Sequence, residues 1–115
     1  MDENILSSKE SQIWYDCFKQ SEIIKKLFKQ SDIEESINQL NQDRVVKNND
    51  SKVTVYFTYN KDESDSIYVS AEFNYNTKEL IRAEIDDSYI SGPLAGHGIR
   101  WTYDDGEFTR NEWIS

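Results

Sequence analysis

Apolar residues recur at spacings of one, three and four along the first part of the chain: Ile13, Trp14, Cys17, Phe18, Ile24, Leu27 and Phe28, with one gap at Ser21. That stripe predicts an amphipathic helix over about 8–29. Ser7-Ser8-Lys9-Glu10 has capping-box spacing at its start. A second box, Ser31-Asp32-Ile33-Glu34, predicts another helix, joined to the first at Gln30 and Ser31, with Ile33, Ile37 and Leu40 on one face. Asp32, Glu34 and Glu35 fall in its first turn, where carboxylates complement the positive end of the helix dipole. The helical part is expected to reach about residue 44.

After the polar break Asn48-Asn49-Asp50-Ser51 the period changes to two. Val53, Val55, Phe57 and Tyr59 alternate with Thr54, Tyr56 and Thr58, the signature of a half-buried strand. Beyond a charged turn over 61–66, Ile67, Val69, Ala71, Phe73 and Tyr75 alternate with Tyr68, Ser70, Glu72 and Asn74. Asn76 to Lys78 link this strand to Leu80–Asp86, where Ile81, Ala83 and Ile85 face one way and Arg82, Glu84 and Asp86 the other. Links this short between alternating strands mean an antiparallel meander. Ser88 to Gly98 holds three of the four glycines and the only proline, and reads as a loop. Ile99, Trp101 and Tyr103 alternate again, and Asp105-Gly106 is a hairpin signal that returns the chain through Phe108 to Ile114. The expected fold is α+β: one domain, with two N-terminal helices on one face of an antiparallel sheet of about five strands spanning roughly 52–114.

At 115 residues the chain can bury a core without staples, and its single cysteine, Cys17, has no intrachain partner for a disulfide. The N-terminal segment lacks the basic and apolar regions of a signal peptide, and no apolar run is long enough to span a bilayer. A cytoplasmic protein with no membrane association is expected. The net charge of −9 makes nucleic acid a poor partner, since phosphate binding rests on clustered Lys and Arg.

Catalytic and metal chemistry finds little support. One histidine and one cysteine cannot build a conventional zinc site, and Lys61–Asp65 lacks the glycine of a calcium loop. Gly92 to Gly98 contains no lysine and leads into a strand, so it is not a phosphate loop. Gly96-His97-Gly98 would let a ligand approach the backbone, and a Cys17–His97 pair is conceivable, yet no third group is marked to orient either. Asp86/Asp87 would point to opposite faces of a strand and Asp104/Asp105 sit in a turn, so neither pair forms a carboxylate dyad. No cofactor and no enzymatic activity are expected.

The distribution of charge says more. Residues 1–50 carry ten acids and seven bases, residues 51–115 twelve acids and six bases. The negative excess lies on the sheet half, interleaved with rings, which is the composition of a surface that steers and then holds a basic protein. If helices cover the face of Ile81, Ala83 and Ile85, then Tyr56, Tyr68, Glu72, Glu84 and Asp86 project from the other face. The segment Glu84–Asp87 and the hairpin Trp101, Tyr103, Asp104, Asp105 and Glu107 complete the expected partner-binding set. Reversing Glu84 and Asp86 is then expected to weaken binding at little cost in stability, because exposed charges contribute little to folding.

In size, acidity and lack of catalytic residues the whole chain resembles the small single-domain immunity proteins that bacteria pair with secreted toxins, including those of contact-dependent growth inhibition. The resemblance implies a tight cytosolic complex with a cognate toxin domain, often a basic nuclease whose active site is blocked. Two other readings stand beside it: a phage anti-defence protein or nucleic-acid mimic, and a small α+β enzyme or ligand-binding domain using His97.

Overall fold

The computed structural model describes residues 4–31, 37–62, 65–89 and 95–114. The elements run β1 (Asn4–Ile5), α1 (Ser8–Gln20), α2 (Glu22–Gln30), β2 (Asn41–Lys47), β3 (Lys52–Asp62), β4 (Asp65–Asn74), β5 (Leu80–Tyr89), β6 (His97–Asp104) and β7 (Glu107–Ile114). All seven strands form one antiparallel sheet in the order of the chain, a complete meander. The α+β class and the antiparallel sheet are as expected; the described residues form seven strands rather than about five.

Both extra strands lie before residue 50. β2 occupies Asn41–Lys47, where the end of a helix was expected. Its first four residues are polar and show no alternation, and it takes its conformation from pairing with β3, with Val45 opposite Val55. β1 is a two-residue addition opposite Val46 and Lys47. The predicted helix over 8–29 is two helices, divided at Ser21. That serine closes α1, its N–H donating to the Phe18 carbonyl at 3.2 Å, and opens α2, its hydroxyl accepting from the Ile24 N–H at 3.2 Å. Ser7 caps α1 as its spacing suggested, accepting from the Glu10 N–H. Ser31 closes α2, its buried hydroxyl donating to the Phe28 carbonyl at the end of that helix. The rest of the expected second capping box, Asp32 to Glu34, lies outside the described residues, as does the following Glu35.

The helices pack side by side on one face, α1 over β2 and β3, α2 over β5 and β6. Phe18, at the centre, lies 4.4 Å from the Phe57 ring and 6.1 Å from that of Phe28, and all three are fully buried. Val53, Val55, Phe57, Ile67, Val69, Ala71, Phe73, Ala83 and Ile85 supply the sheet side of the core as the alternation predicted. Ile81 does not. The register shifts so that Glu72 faces Arg82 and Phe73 faces Leu80; Ile81 is the extra residue, and Leu80 packs against the core instead. The β6–β7 turn has Asp105 at φ 51° and Gly106 at φ 81°, the two left-handed residues of a type I′ hairpin, as the Asp-Gly pair implied.

An arginine–carboxylate ladder on the open face of the sheet

Side chains alternate along each strand, so the register assigns every candidate residue to a face. Tyr56, Tyr68, Glu72, Glu84 and Asp86 project away from the helices, as expected. Three other candidates do not. Trp101 and Tyr103 pair with Ile85 and Ala83, face the helices and pack half-buried against the core; Tyr103 meets the Phe108 ring at 5.1 Å. Asp87 pairs with Ile67 and Ile99 on that same side and is 5% exposed. Neighbours in a strand point opposite ways, so Asp86 and Asp87 cannot share a surface, and the two rings of β6 complete the apolar side of the sheet.

Three acids of the open face, Glu84, Asp86 and Asp104, are tied to arginines that their charge balance alone did not reveal. Arg82 reaches Glu84 at 3.3 Å and Asp104 at 3.6 Å; Arg100 reaches Glu84 at 3.5 Å and Asp86 at 3.0 Å. The result is a zigzag running Asp104, Arg82, Glu84, Arg100, Asp86 across β5 and β6. Trp113 of β7 closes it, its indole N–H donating to Asp86 at 3.0 Å, while the Ser88 hydroxyl donates to the same carboxylate at 3.1 Å. The hydrogen bond to Asp86 raises the pKa of Arg100 further; burial opposes it, and the charges of Glu84 and Asp86 reinforce it. Gly98 permits this geometry, because a Cβ there would fall inside the Trp113 ring. Elsewhere on the face Lys52 lies 4.0 Å from Glu72, and the Arg44 guanidinium sits 4.2 Å over the Tyr56 ring. Tyr68, 49% exposed, stands one strand from Asp86.

Asp86 and Glu84, with side chains 16% and 23% exposed, are therefore structural members of a network. Reversing them would set Lys against Arg82 and Arg100, so a larger loss of stability is expected here than at an isolated exposed charge. Exposed negative charge is found farther along. A shallow trough of about 480 Å³ is lined by Arg82, Glu84, Arg100 and Thr102, and on its outer lip by Asp104, Asp105 and Glu107, with Thr109 and Asn111 of β7 at its side. Asp104, Asp105 and Glu107 are exposed and sit around the hairpin turn. Arg82, Arg100 and Trp113 were legible only once the register was known: Arg100 and Asp86 are 14 residues apart in sequence and paired in space.

The other chemical candidates stay apart. Cys17 is half-buried on α1, where burial pushes its thiol pKa up, the nearby Lys78 charge opposing and Asp16 reinforcing. His97 opens β6 opposite Tyr89 and Ile114, on strands away from α1. Among the described residues no group of three His, Cys, Asp or Glu is placed to hold a metal ion, and no helix is long and apolar enough to cross a membrane. Comparison with family models, with curated proteins and with solved structures found no match.

Proposed function

We propose that the chain is a protein inhibitor of the immunity type, which binds a basic partner, a cognate toxin domain, through the open face of its sheet. The observation that carries this reading is the trough: four carboxylates, Glu84, Asp104, Asp105 and Glu107, stand against two guanidiniums, and three of the four lie exposed on the lip. Exposed rim charge steers encounter, while a ladder already held in place needs no reorganisation when a partner docks. Tyr68 supplies an exposed ring beside it. Arg82 and Arg100 alternate with the acids, which breaks the unbroken negative run of a phosphate backbone and favours a protein partner over the role of nucleic-acid mimic.

The test uses the product of the gene next to this one, expressed separately and mixed with the purified chain. Association should be fast at low ionic strength and slow with added salt. Asp104→Lys with Glu107→Lys should slow it by roughly tenfold and flatten the salt dependence, with the melting temperature only slightly lowered, since Asp104 gives up one exposed 3.6 Å contact with Arg82. Asp16→Lys with Glu22→Lys, exposed on the helices, is the control. A control variant that loses the partner while the lip variant keeps it would place the interface on the helical half. A neighbouring product that neither binds nor is neutralised would overturn the reading.

A further inference from the structure

β7 ends the sheet, with β6 as its one strand partner among the described residues, so one row of its backbone N–H and C=O groups faces outward. It runs eight residues in unbroken register, without a proline or a bulge. An edge of this kind is a template for another strand unless something on it repels pairing. The charged residues in the middle of this edge are Arg110 and Glu112. They share the helix-side face, 4.0 Å apart, with Phe108 and Ile114 on either side of them.

We propose that two copies of this chain pair through β7, antiparallel and edge to edge, about a two-fold axis at Asn111. A two-fold axis perpendicular to the sheet keeps each face continuous, so it can only pass through a residue pair and matches positions of like orientation. Placed at Asn111, it sets Arg110 against the partner's Glu112 and Glu112 against the partner's Arg110. Phe108 then meets the partner's Ile114, and Thr109 the partner's Trp113. Moving the axis one residue back sets Arg110 against itself and Phe108 against Glu112; moving it one residue forward sets Glu112 against itself. Only the central register is complementary in charge and in apolar contact. Ile114, 75% exposed in the single chain, gains a ring to pack on. The paired chains form one sheet of twice the seven strands. Because Thr109 and Asn111 line the trough, the two troughs flank the axis on one continuous open face.

The test is the oligomeric state of the full chain and of charge-exchange variants. Sedimentation equilibrium at low salt, from about 5 to about 500 µM, should show a monomer–dimer equilibrium that weakens as salt is added. Glu112→Arg or Arg110→Glu alone puts like charges at both symmetry-related contacts and should weaken the dimer by roughly tenfold or more. Arg110→Glu combined with Glu112→Arg restores opposite charges and should restore the dimer. Both positions are exposed, and circular-dichroism melting confirms that each variant is folded. A chain that stays monomeric across the range overturns the proposal. So does a dimer indifferent to the single reversals, or one that the double exchange fails to restore.

Discussion

Replacing Asp86 with Ala tests whether the open-face ladder is structural. The carboxylate accepts from the Trp113 indole at 3.0 Å, from Arg100 at 3.0 Å and from Ser88 at 3.1 Å, and its side chain is 16% exposed. A hydrogen bond to a charged group contributes about 1.5–3 kcal/mol, and the half-buried indole is the partner least able to find water instead. Arg100 is 43% exposed, so its ion pair adds only about 0.5–1 kcal/mol. The Ser88 hydroxyl can turn to another acceptor and adds little. The expected loss is about 2–3 kcal/mol. Glu84→Ala removes two longer contacts to exposed arginines and should cost about 1 kcal/mol or less. Urea unfolding followed by circular dichroism measures both; with a slope of about 1.5 kcal/mol/M, Asp86→Ala should lower the midpoint by roughly 1.5 M at unchanged slope. Asp86→Asn, which keeps an acceptor for Trp113, should fall between wild type and Ala. If Asp86→Ala costs no more than Glu84→Ala, the indole bond is not a stabilising contact and the ladder is a set of surface pairs.

Two further outcomes follow from the same geometry and from the helix side. Gly98→Ala should destabilise by about 2–3 kcal/mol, because the new Cβ displaces the Trp113 ring; in an Asp86→Ala background it should cost less, since the bond it disrupts is already gone, and urea midpoints of the four proteins give the coupling. The raised thiol pKa of Cys17 and phenol pKa of Tyr15, both caused first by burial and for Tyr15 also by the Asp43 charge, make the folded state resist deprotonation. Their contribution is therefore intact below the ordinary values of 9.0 and 10.0 and is lost as pH rises through the folded values, so stability should begin to fall above pH 9.0, and Cys17→Ser should delay the fall. A thermal melt series across that range with an identical onset for both proteins would contradict the assignment to Cys17.

What the chain disclosed in advance, and what it hid, divides along one physical line. Local signals were legible: the alternation that buries Val53 to Phe57 and Ile67 to Phe73, the Ser7 cap, the Asp105-Gly106 turn. Each is decided within a few residues. β2 was hidden because Asn41 to Arg44 have no intrinsic strand pattern and are strands only by pairing with β3. Ser21 showed as a gap in the apolar stripe, yet a gap alone does not distinguish a polar position within one helix from a cap shared by two. The site suffered most, since faces depend on register. Trp101 and Tyr103 followed the alternation of Ile99 correctly, but which way that set pointed was known only when Trp101 came to lie against Ile85. Arg82 and Arg100 each looked like one more exposed charge until the pairing of β5 with β6 put them between carboxylates.

If the open face docks a basic partner as proposed, that pairing also decides which acids the partner can exploit. A carboxylate already held by a guanidinium or an indole gains less from an incoming cation, because the new contact replaces an existing one and the displaced arginine must find water or another acceptor. Asp86 and Glu84 are in that position, with their arginines fixed between them. Asp104 spends only a 3.6 Å contact on Arg82 and keeps a side chain 61% exposed, and Asp105 and Glu107 stand on an exposed hairpin. Their field reaches about a Debye length, roughly 8 Å at physiological salt, enough to orient a basic surface before contact. Behind them Arg82, Glu84 and Arg100 are paired with one another, so on the proposed reading a docking surface would meet compensated charge and the polar side chains of Thr102, Thr109 and Asn111 in the trough. On the proposed reading, steering and holding would be separated on one sheet face: the lip carries the unspent charge, and the strands beneath it carry the order.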